Sequence, residues 1–337
     1  MKSIPGTGLP PVKRRKSNQE NGPATPFFKW AGGKNQLLGE FADRFPTELR
    51  TGVLDRYVEP FIGGGAVFFY IVQHFPMKES VICDINEELV LTYKVVQQDV
   101  HALIALLTQF QEQYDILNES DRSVMYYEIR DDLNAKRNGF DYSTYRSEWI
   151  ERAAQLLFLN RTCFNGLFRV NTKGGFNVPF GKYKNPRIVN ASNLVKASEL
   201  LLNTTILLGD FSICEDFIDE RTFVYIDPPY RPLNQTSSFT SYSQGGFSED
   251  DQVRLSKFFT TIDTIGAKVL LSNSDPKNED PTDHFFDDLY KAYTIERVLA
   301  KRFINSKGEK RGEIYEIVVM NYQPPDINDT QQGLILG

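Results

Sequence analysis

The residues Asp227-Pro228-Pro229-Tyr230 follow the apolar run Phe223-Val224-Tyr225-Ile226 and bring a carboxylate, a rigid turn and an aromatic face to the end of an expected strand. Proline locks φ and carries no N–H, so a pair of them drives the chain out of a sheet and leaves backbone carbonyls facing outward beside the Asp. An exocyclic amine on a flat base has two hydrogens to donate. The Asp227 carboxylate and the Pro228 carbonyl supply two acceptors, and the Tyr230 ring offers a surface on which the base can stack. A plain strand-ending turn uses the same residue types, because Asp and Pro are common turn residues.

Upstream, Tyr57-Val58-Glu59-Pro60-Phe61-Ile62-Gly63-Gly64-Gly65 reads as a strand and a glycine turn, and Ala66-Val67-Phe68-Phe69 opens an apolar helix. Such a turn lets a ligand approach the backbone closely, although the G-x-G-x-x-G pattern is not present and a tight packing turn would look alike. The next expected strand, Ser80-Val81-Ile82-Cys83, ends in Asp84. An acid about 20 residues after the glycine turn is where a ribose hydroxyl pair is usually held, and the same position also suits a helix N-cap. Lys29-Trp30-Ala31-Gly32-Gly33-Lys34 lacks the P-loop pattern, because Asn35 follows the Lys and no strand precedes it. Nucleotide hydrolysis is disfavoured, whereas Trp and Lys beside a glycine pair can wrap an extended cofactor.

The elements that must position these groups read as a doubly wound α/β sheet. Residues 53–84 and 205–319 alternate short apolar strands with helical stretches. Further strands are expected at Ile206-Leu207-Leu208, at Lys268-Val269-Leu270-Leu271 and at Ile314-Tyr315-Glu316-Ile317-Val318-Val319, with helices near 249–265 and 284–292. Residues 99–159 instead show helical periodicity, with Leu103, Leu106, Leu107 and Phe110 on one face, as an inserted, mainly helical subdomain would. The expected division is a basic arm over 1–25, a catalytic domain over 26–90 and 195–325, an insert over 91–194 and a tail over 326–337.

At 337 residues the chain can bury a good core, and no apolar stretch is long enough to span a membrane. Residues 1–25 are polar, contain Lys13-Arg14-Arg15-Lys16 and lack the apolar core of a signal peptide. Cys83, Cys163 and Cys214 are an odd, dispersed set that points to reduced thiols and a cytoplasmic setting. His74, His101 and His284 are scattered, so neither a zinc site nor a nucleophile triad assembles from local spacing. The net charge of −6 argues against a nucleic-acid partner, but its distribution does not. Arg152, Arg161, Arg169, Lys173, Lys182, Lys184 and Arg187 occur with no acid among them, interleaved with Phe164, Phe168, Phe176 and Tyr183. That mixture favours a DNA-facing surface over an ordinary solvated face. A second basic group, Lys301, Arg302, Lys307, Lys310 and Arg311, lies further on.

Taken in order, Lys29 to Lys34, Glu59 to Gly65 and Asp227 to Tyr230 resemble the motifs of the amino-methylating DNA adenine methyltransferases of the Dam family, the alpha group of the D12 class. The resemblance runs from about Pro26 to about Tyr322. It includes Asn165-Gly166-Leu167-Phe168-Arg169-Val170-Asn171 and Phe176-Asn177-Val178-Pro179-Phe180-Gly181-Lys182-Tyr183, similar to the target-recognition segment of members that modify GATC. The likeness is strongest to the Dpn-type methyltransferases paired with GATC restriction enzymes. It implies a Rossmann-like methyltransferase sheet with an inserted target-recognition domain, S-adenosylmethionine as cofactor, duplex DNA as partner, and either a restriction-modification role beside a cognate endonuclease or a Dam-like role without one.

By position, the resemblance assigns the cofactor to Trp30, Ala31, Lys34, Gly63, Gly65, Asp84 and Asp227, and the chemistry to Asp227, Pro228, Pro229 and Tyr230. It assigns DNA to Lys29, Phe164, Asn165, Leu167, Arg169, Pro179, Lys182 and Tyr183, with Phe164 as an aromatic wedge and Arg169 reading guanine. A lone Phe, however, more often packs in a core. Lys182 stands where some members carry Arg, and Lys cannot make the same planar fork. Two rivals stay in view: a methyltransferase acting on a small molecule or a protein amide, which more often has Asn at the place of Asp227, and a catalytically silent DNA-binding module.

Overall fold

The computed structural model describes residues 22–30, 32–231, 247–300 and 314–325. Its strands are β1 (Arg56–Glu59), β2 (Glu79–Asp84), β3 (Thr204–Leu208), β4 (Thr222–Ile226), β5 (Lys268–Ser274), β6 (Thr294–Ala300) and β7 (Ile314–Met320). They form one sheet in the order β3-β2-β1-β4-β5-β7-β6. Neighbours from β3 through β5 pair in parallel, and β7 runs antiparallel between β5 and β6. Parallel strands covered on both faces read as unbroken apolar runs, and every residue of β4 is buried. β6 has no counterpart among the strands expected from sequence. It lies at the sheet edge, where only Val298 is buried, so its apolar signal is weak.

The helices are α1 (Leu38–Ala42), α2 (Thr47–Arg50), α3 (Ala66–His74), α4 (Glu87–Gln98), α5 (Val100–Ile116), α6 (Glu119–Ala135), α7 (Glu148–Thr162), α8 (Ala191–Leu201), α9 (Glu249–Ile265) and α10 (Phe285–Leu289). Side chains alternate across the sheet with period two. Tyr57, Ile82, Phe223, Tyr225 and Leu270 join the core on one face, while Val58, Val81, Val224, Ile226 and Leu271 join the core on the other. The first core extends without a break into α5, α6 and α7, and the second is closed by α9 and α10.

Local signals explain the helix ends that matter. Gly65 enters α3 in the left-handed region, at φ 75°, which suits a residue without Cβ. Asn86 caps α4 through its side chain, accepting from the Leu89 amide. This corrects the N-cap reading of Asp84, which instead accepts from the amide of Asn86 at 2.9 Å. A Ser248–Asp251 capping box starts α9 and Gly266, at φ 101°, ends it.

Residues 99–159 are helical as expected, with no strand among the described residues there. The chain passes both expected insert boundaries inside helices, since α4 spans residue 91 and α8 spans residue 194. The joint with the sheet is bonded as well as packed. Arg152 on α7 donates through Nε to Glu88 Oε2 on α4 at 2.9 Å, and the Tyr142 hydroxyl donates to Glu88 Oε1 at 2.6 Å.

Candidate active site and nucleic-acid interface

The chain leaves β1 towards β2 on one side, while β4 lies on the other side of β1, so a crevice opens at their carboxyl ends. Open α/β sheets bind ligands at such a switch point. Glu59, Asp84 and Asp227 stand at or just beyond the carboxyl ends of β1, β2 and β4. Glu316, near the start of antiparallel β7, reaches the same rim opposite Ser274.

The Lys34 ammonium lies 2.7 Å from Asp227 Oδ1 and donates to the Tyr230 hydroxyl at 2.7 Å. The Tyr230 hydroxyl in turn donates to Glu316 Oε1 at 2.8 Å, and Glu316 Oε2 lies 3.6 Å from Lys34 Nζ. Ser272 Oγ donates to Asp227 Oδ1 at 3.4 Å and lies 2.8 Å from the Tyr225 hydroxyl. Among the described residues, Lys34 and Ser272 both reach Asp227 at Oδ1. The Tyr230 side chain is tethered at its hydroxyl, yet the residue is 39% exposed. The proline turn is pinned from α9: Gln252 Nε2 donates to the Pro229 carbonyl at 3.1 Å, and Asn273 Nδ2 donates to Gln252 Oε1 at 3.4 Å.

Burial pushes the Asp227 carboxyl up, against the pull of Lys34 and Ser272. Glu316 is likewise raised by burial, with Lys34 opposing. Burial acts to lower Lys34, but Asp227, Tyr230 and Glu316 together hold it well above the ordinary lysine range. Lys34 is therefore a fixed cation in a site of two buried carboxyls. Burial also drives Glu59 far upward, while the Tyr57 hydroxyl donates to it at 2.7 Å.

At the glycine turn, the Gly63 amide donates to Asp84 Oδ2 at 3.1 Å. The Asp84 carboxyl is raised to about 6 by burial, with the amides of Asn86, Gly63 and Ile85 opposing. Ile85 and Ile213 are exposed apolar side chains near it, at 61% and 39%. Gly209 links them, donating to the Asp84 carbonyl at 3.1 Å and leaving room for Ile213, whose Cδ1 would be 2.8 Å from an added Cβ. Trp30 lies over the turn: a Cβ on Gly63, which has φ +45°, would come within 2.9 Å of its ring. The Trp30 ring also stacks on Phe168 at 5.3 Å, tying the turn to the insert. Ala31 lies outside the described residues.

The residues assigned to DNA by resemblance converge on the segments after α7. Phe164 N–H donates to the Pro179 carbonyl at 2.8 Å, and Gly181 N–H to the Thr162 carbonyl at 2.8 Å. Asn165 and Lys182 adopt left-handed backbone, at φ 56° and 55°, an uncommon conformation outside glycine. The Tyr183 hydroxyl accepts from the Asn165 amide at 3.0 Å, and Lys29 Nζ sits 5.5 Å from the Tyr183 ring centroid. Lys29 is itself fixed by Asn160, whose side chain bonds both its amide and its carbonyl. Phe164 is 51% exposed, which removes core packing as its role. Arg169 is exposed and held by Asn177, with Nε 2.8 Å from Oδ1 and Nη2 3.2 Å from the carbonyl oxygen. Pro179 and Lys182 are exposed and Leu167 is half-buried.

The basic stretch needs correction in part. Arg152 is buried against Glu88, and Arg161 turns inward to the Phe27 carbonyl, so neither reaches a phosphate. Phe168 and Phe176 are core residues. Arg169, Lys173, Lys182, Lys184 and Arg187 remain exposed. The second basic group and the basic arm lie outside the described residues. Four partners of the site, Ser272, Asn273, Gln252 and Glu316, were not singled out by sequence. Polar residues ending the apolar run Val269-Leu270-Leu271 and a charge within Ile314–Met320 were the available signals.

Residues 30–304 match the family model of the D12 class N6 adenine-specific DNA methyltransferases. The chain belongs to this family. A type II methyltransferase of Methanocaldococcus jannaschii, M.MjaIII, is 50% identical over 88% of this chain and 99% of its own length. A type II methyltransferase of Lactococcus lactis subsp. cremoris is 40% identical, covering 88% of this chain and 95% of the relative. The DNA adenine methylase of Salmonella typhi is 30% identical, over 88% and 95% respectively. As a D12 methyltransferase the chain belongs with enzymes that act on adenine N6 in DNA, and not with methyltransferases of small molecules or protein amides. Among the described residues no helix is long and apolar enough to cross a membrane and no acid, His and Cys cluster could hold a metal ion. The three cysteines are buried free thiols.

Proposed function

We propose that this D12 methyltransferase modifies adenine within GATC in duplex DNA, flipping the target base out of the helix and serving in restriction-modification beside an endonuclease of the same site. The observation that carries the reading is the union, at one switch point, of Asp227 gripped on Oδ1 with a Tyr230 side chain that is tethered at its hydroxyl and 39% exposed. A base inside a duplex is out of reach of such a pocket, so it must leave the stack. Phe164, exposed on a strained turn, is suited to fill the vacated space, with Asn165 beside it. Oδ2 of Asp227 and the Pro228 carbonyl would then accept the N6 hydrogens while Tyr230 stacks on the ring. These acceptors draw the nitrogen lone pair out of conjugation and aim it, so positioning and electrostatics do the catalysis.

S-adenosylmethionine, the methyl donor that the family implies, supplies an electrophilic methyl on a sulfonium. The residues present fit it. The Gly63 amide bonds to Asp84 at the crevice, Asp84 would take a ribose hydroxyl pair, and the exposed Ile85 and Ile213 would flank a flat ring. Trp30 and Gly63 would border the rest of the molecule, Gly65 would support the turn from its packing against Tyr93, and Lys34 reaches Asp227.

For sequence reading, Arg169 would take guanine O6 and N7, aligned by Asn177, while Leu167 and Pro179 meet thymine methyl or sugar edges. Lys29 and Tyr183 complete that surface, and Lys182 supports it as a point charge at phosphate. The test is methyl transfer from labelled S-adenosylmethionine to duplexes that differ only by GATC against a scrambled site, with Asp227→Ala as a blank. Label on the GATC adenine alone, lost in the variant, is the expected result. Equal labelling of both duplexes would overturn the GATC assignment.

A further inference from the structure

We infer that Glu316 is a positioning residue of the methyl-transfer site, sharing the Lys34 ammonium with Asp227 and fixing the Tyr230 ring. The inference rests on the reading that Asp227 and Tyr230 hold the target adenine. Glu316 is 8% exposed on β7, where a charged side chain interrupts an otherwise apolar strand. Its Oε1 accepts from the Tyr230 hydroxyl, while its Oε2 is buried without a hydrogen-bond partner among the described residues. Burying a carboxylate with one oxygen unsatisfied is costly, so a strand that keeps one there is paying for something other than packing.

The geometry indicates what the charge does. Lys34 touches Asp227 at 2.7 Å, close enough to neutralise it if no other anion drew on the ammonium. Glu316 Oε2, 3.6 Å from the same nitrogen, is that second anion. With Lys34 counted as +1 and Asp227 and Glu316 as −1 each, the cluster carries a formal charge of −1. That balance leaves Asp227 a strong acceptor and favours the positive charge that develops on N6 as it is methylated. Among the described residues the other groups facing the pair are Tyr225 and Ser272, which bond each other beside Asp227, and Glu59, whose carboxyl burial pushes upward. Through Tyr230 the same carboxylate sets a ring angle: Lys34 donates to the phenol oxygen and Glu316 receives its proton, so the hydroxyl is held from two sides.

Glu316→Gln tests this with the full chain, because the amide retains an acceptor for Tyr230 while the negative charge beside Lys34 is removed. The expected result is a kcat lower by about tenfold or more with KM for DNA and cofactor within about twofold, the pattern of an interaction made in the transition state. The acid limb of the kcat profile should move to lower pH, since removing a neighbouring negative charge makes Asp227 easier to ionise. A merely structural role would move neither the limb nor kcat apart from KM. Tyr230→Phe is the second variant, removing the bridging hydroxyl while leaving the stacking face; it too should lose about tenfold in kcat. Wild-type kcat in either variant, or a Gln variant whose acid limb stays in place, overturns the inference. Asp227→Ala separates the two readings. If that variant still methylates, the reading of the adenine pocket itself fails; if it is inactive while Glu316→Gln is normal, only the role of Glu316 falls.

Discussion

Asp227 is held at Oδ1 by a cation and a hydroxyl, and that grip sets the expectation for its replacement. Asp227→Asn keeps the shape but offers an amide in place of a charged acceptor, so methyl transfer should fall by about 10²–10³ and cofactor affinity by far less. Single-turnover transfer beside equilibrium dialysis of the cofactor checks both halves. Asp84 carries the pH dependence of cofactor binding. Its carboxyl is raised to about 6 by burial, so it is mostly ionised above that value and protonated below it. Only the ionised form offers both oxygens as acceptors to a hydroxyl pair. Cofactor affinity should therefore weaken as pH falls through about 6, and Asp84→Asn should bind weakly with that limb abolished, as read by titration calorimetry across pH. The Asp227 motif was legible because its members are consecutive. Glu316 was not, because it meets Tyr230 across 86 positions of chain and only the sheet brings them together.

The elements around α7 show how far periodicity reaches. Apolar spacing marked the helices over 99–159 and the runs that became β1 to β5 and β7, since each of those runs sends apolar side chains into a core. It missed β6, whose edge position asks for little apolar surface. Charge counting also misread Arg152, because a basic residue at a packed helix joint looks the same in sequence as one at a surface. Arg152→Ala strands Glu88 in a buried setting, so the loss of stability should be about 3–5 kcal/mol, measured by denaturant unfolding. The Phe164 turn should behave oppositely. Phe164→Ala removes a half-exposed ring and should leave stability within about 0.5 kcal/mol. It should nonetheless suppress the fluorescence rise of 2-aminopurine placed at the target adenine, because the vacated stack is no longer filled.

At the scale of the whole molecule, an acidic chain binds a polyanion by segregating its charge. The formal total is −6, yet Arg169, Lys173, Lys182, Lys184 and Arg187 are exposed in one short stretch. Lys184→Ala should weaken GATC and scrambled duplexes alike and reduce the slope of log K against log salt by about 1, whereas Arg169→Ala should cost about 1–3 kcal/mol for GATC and relax specificity. Binding isotherms over a salt series separate the two. By itself the sequence determined the family, the strand and helix alternation, the helical insert and the consecutive groups at the strand ends, because each depends on neighbours along the chain. Only the tertiary structure decided which cations are buried, that Phe164 is exposed and that Glu316, Ser272 and Gln252 complete the site. Burial and long-range hydrogen bonds depend on what the fold places opposite a residue, and residue type and spacing do not encode that by themselves.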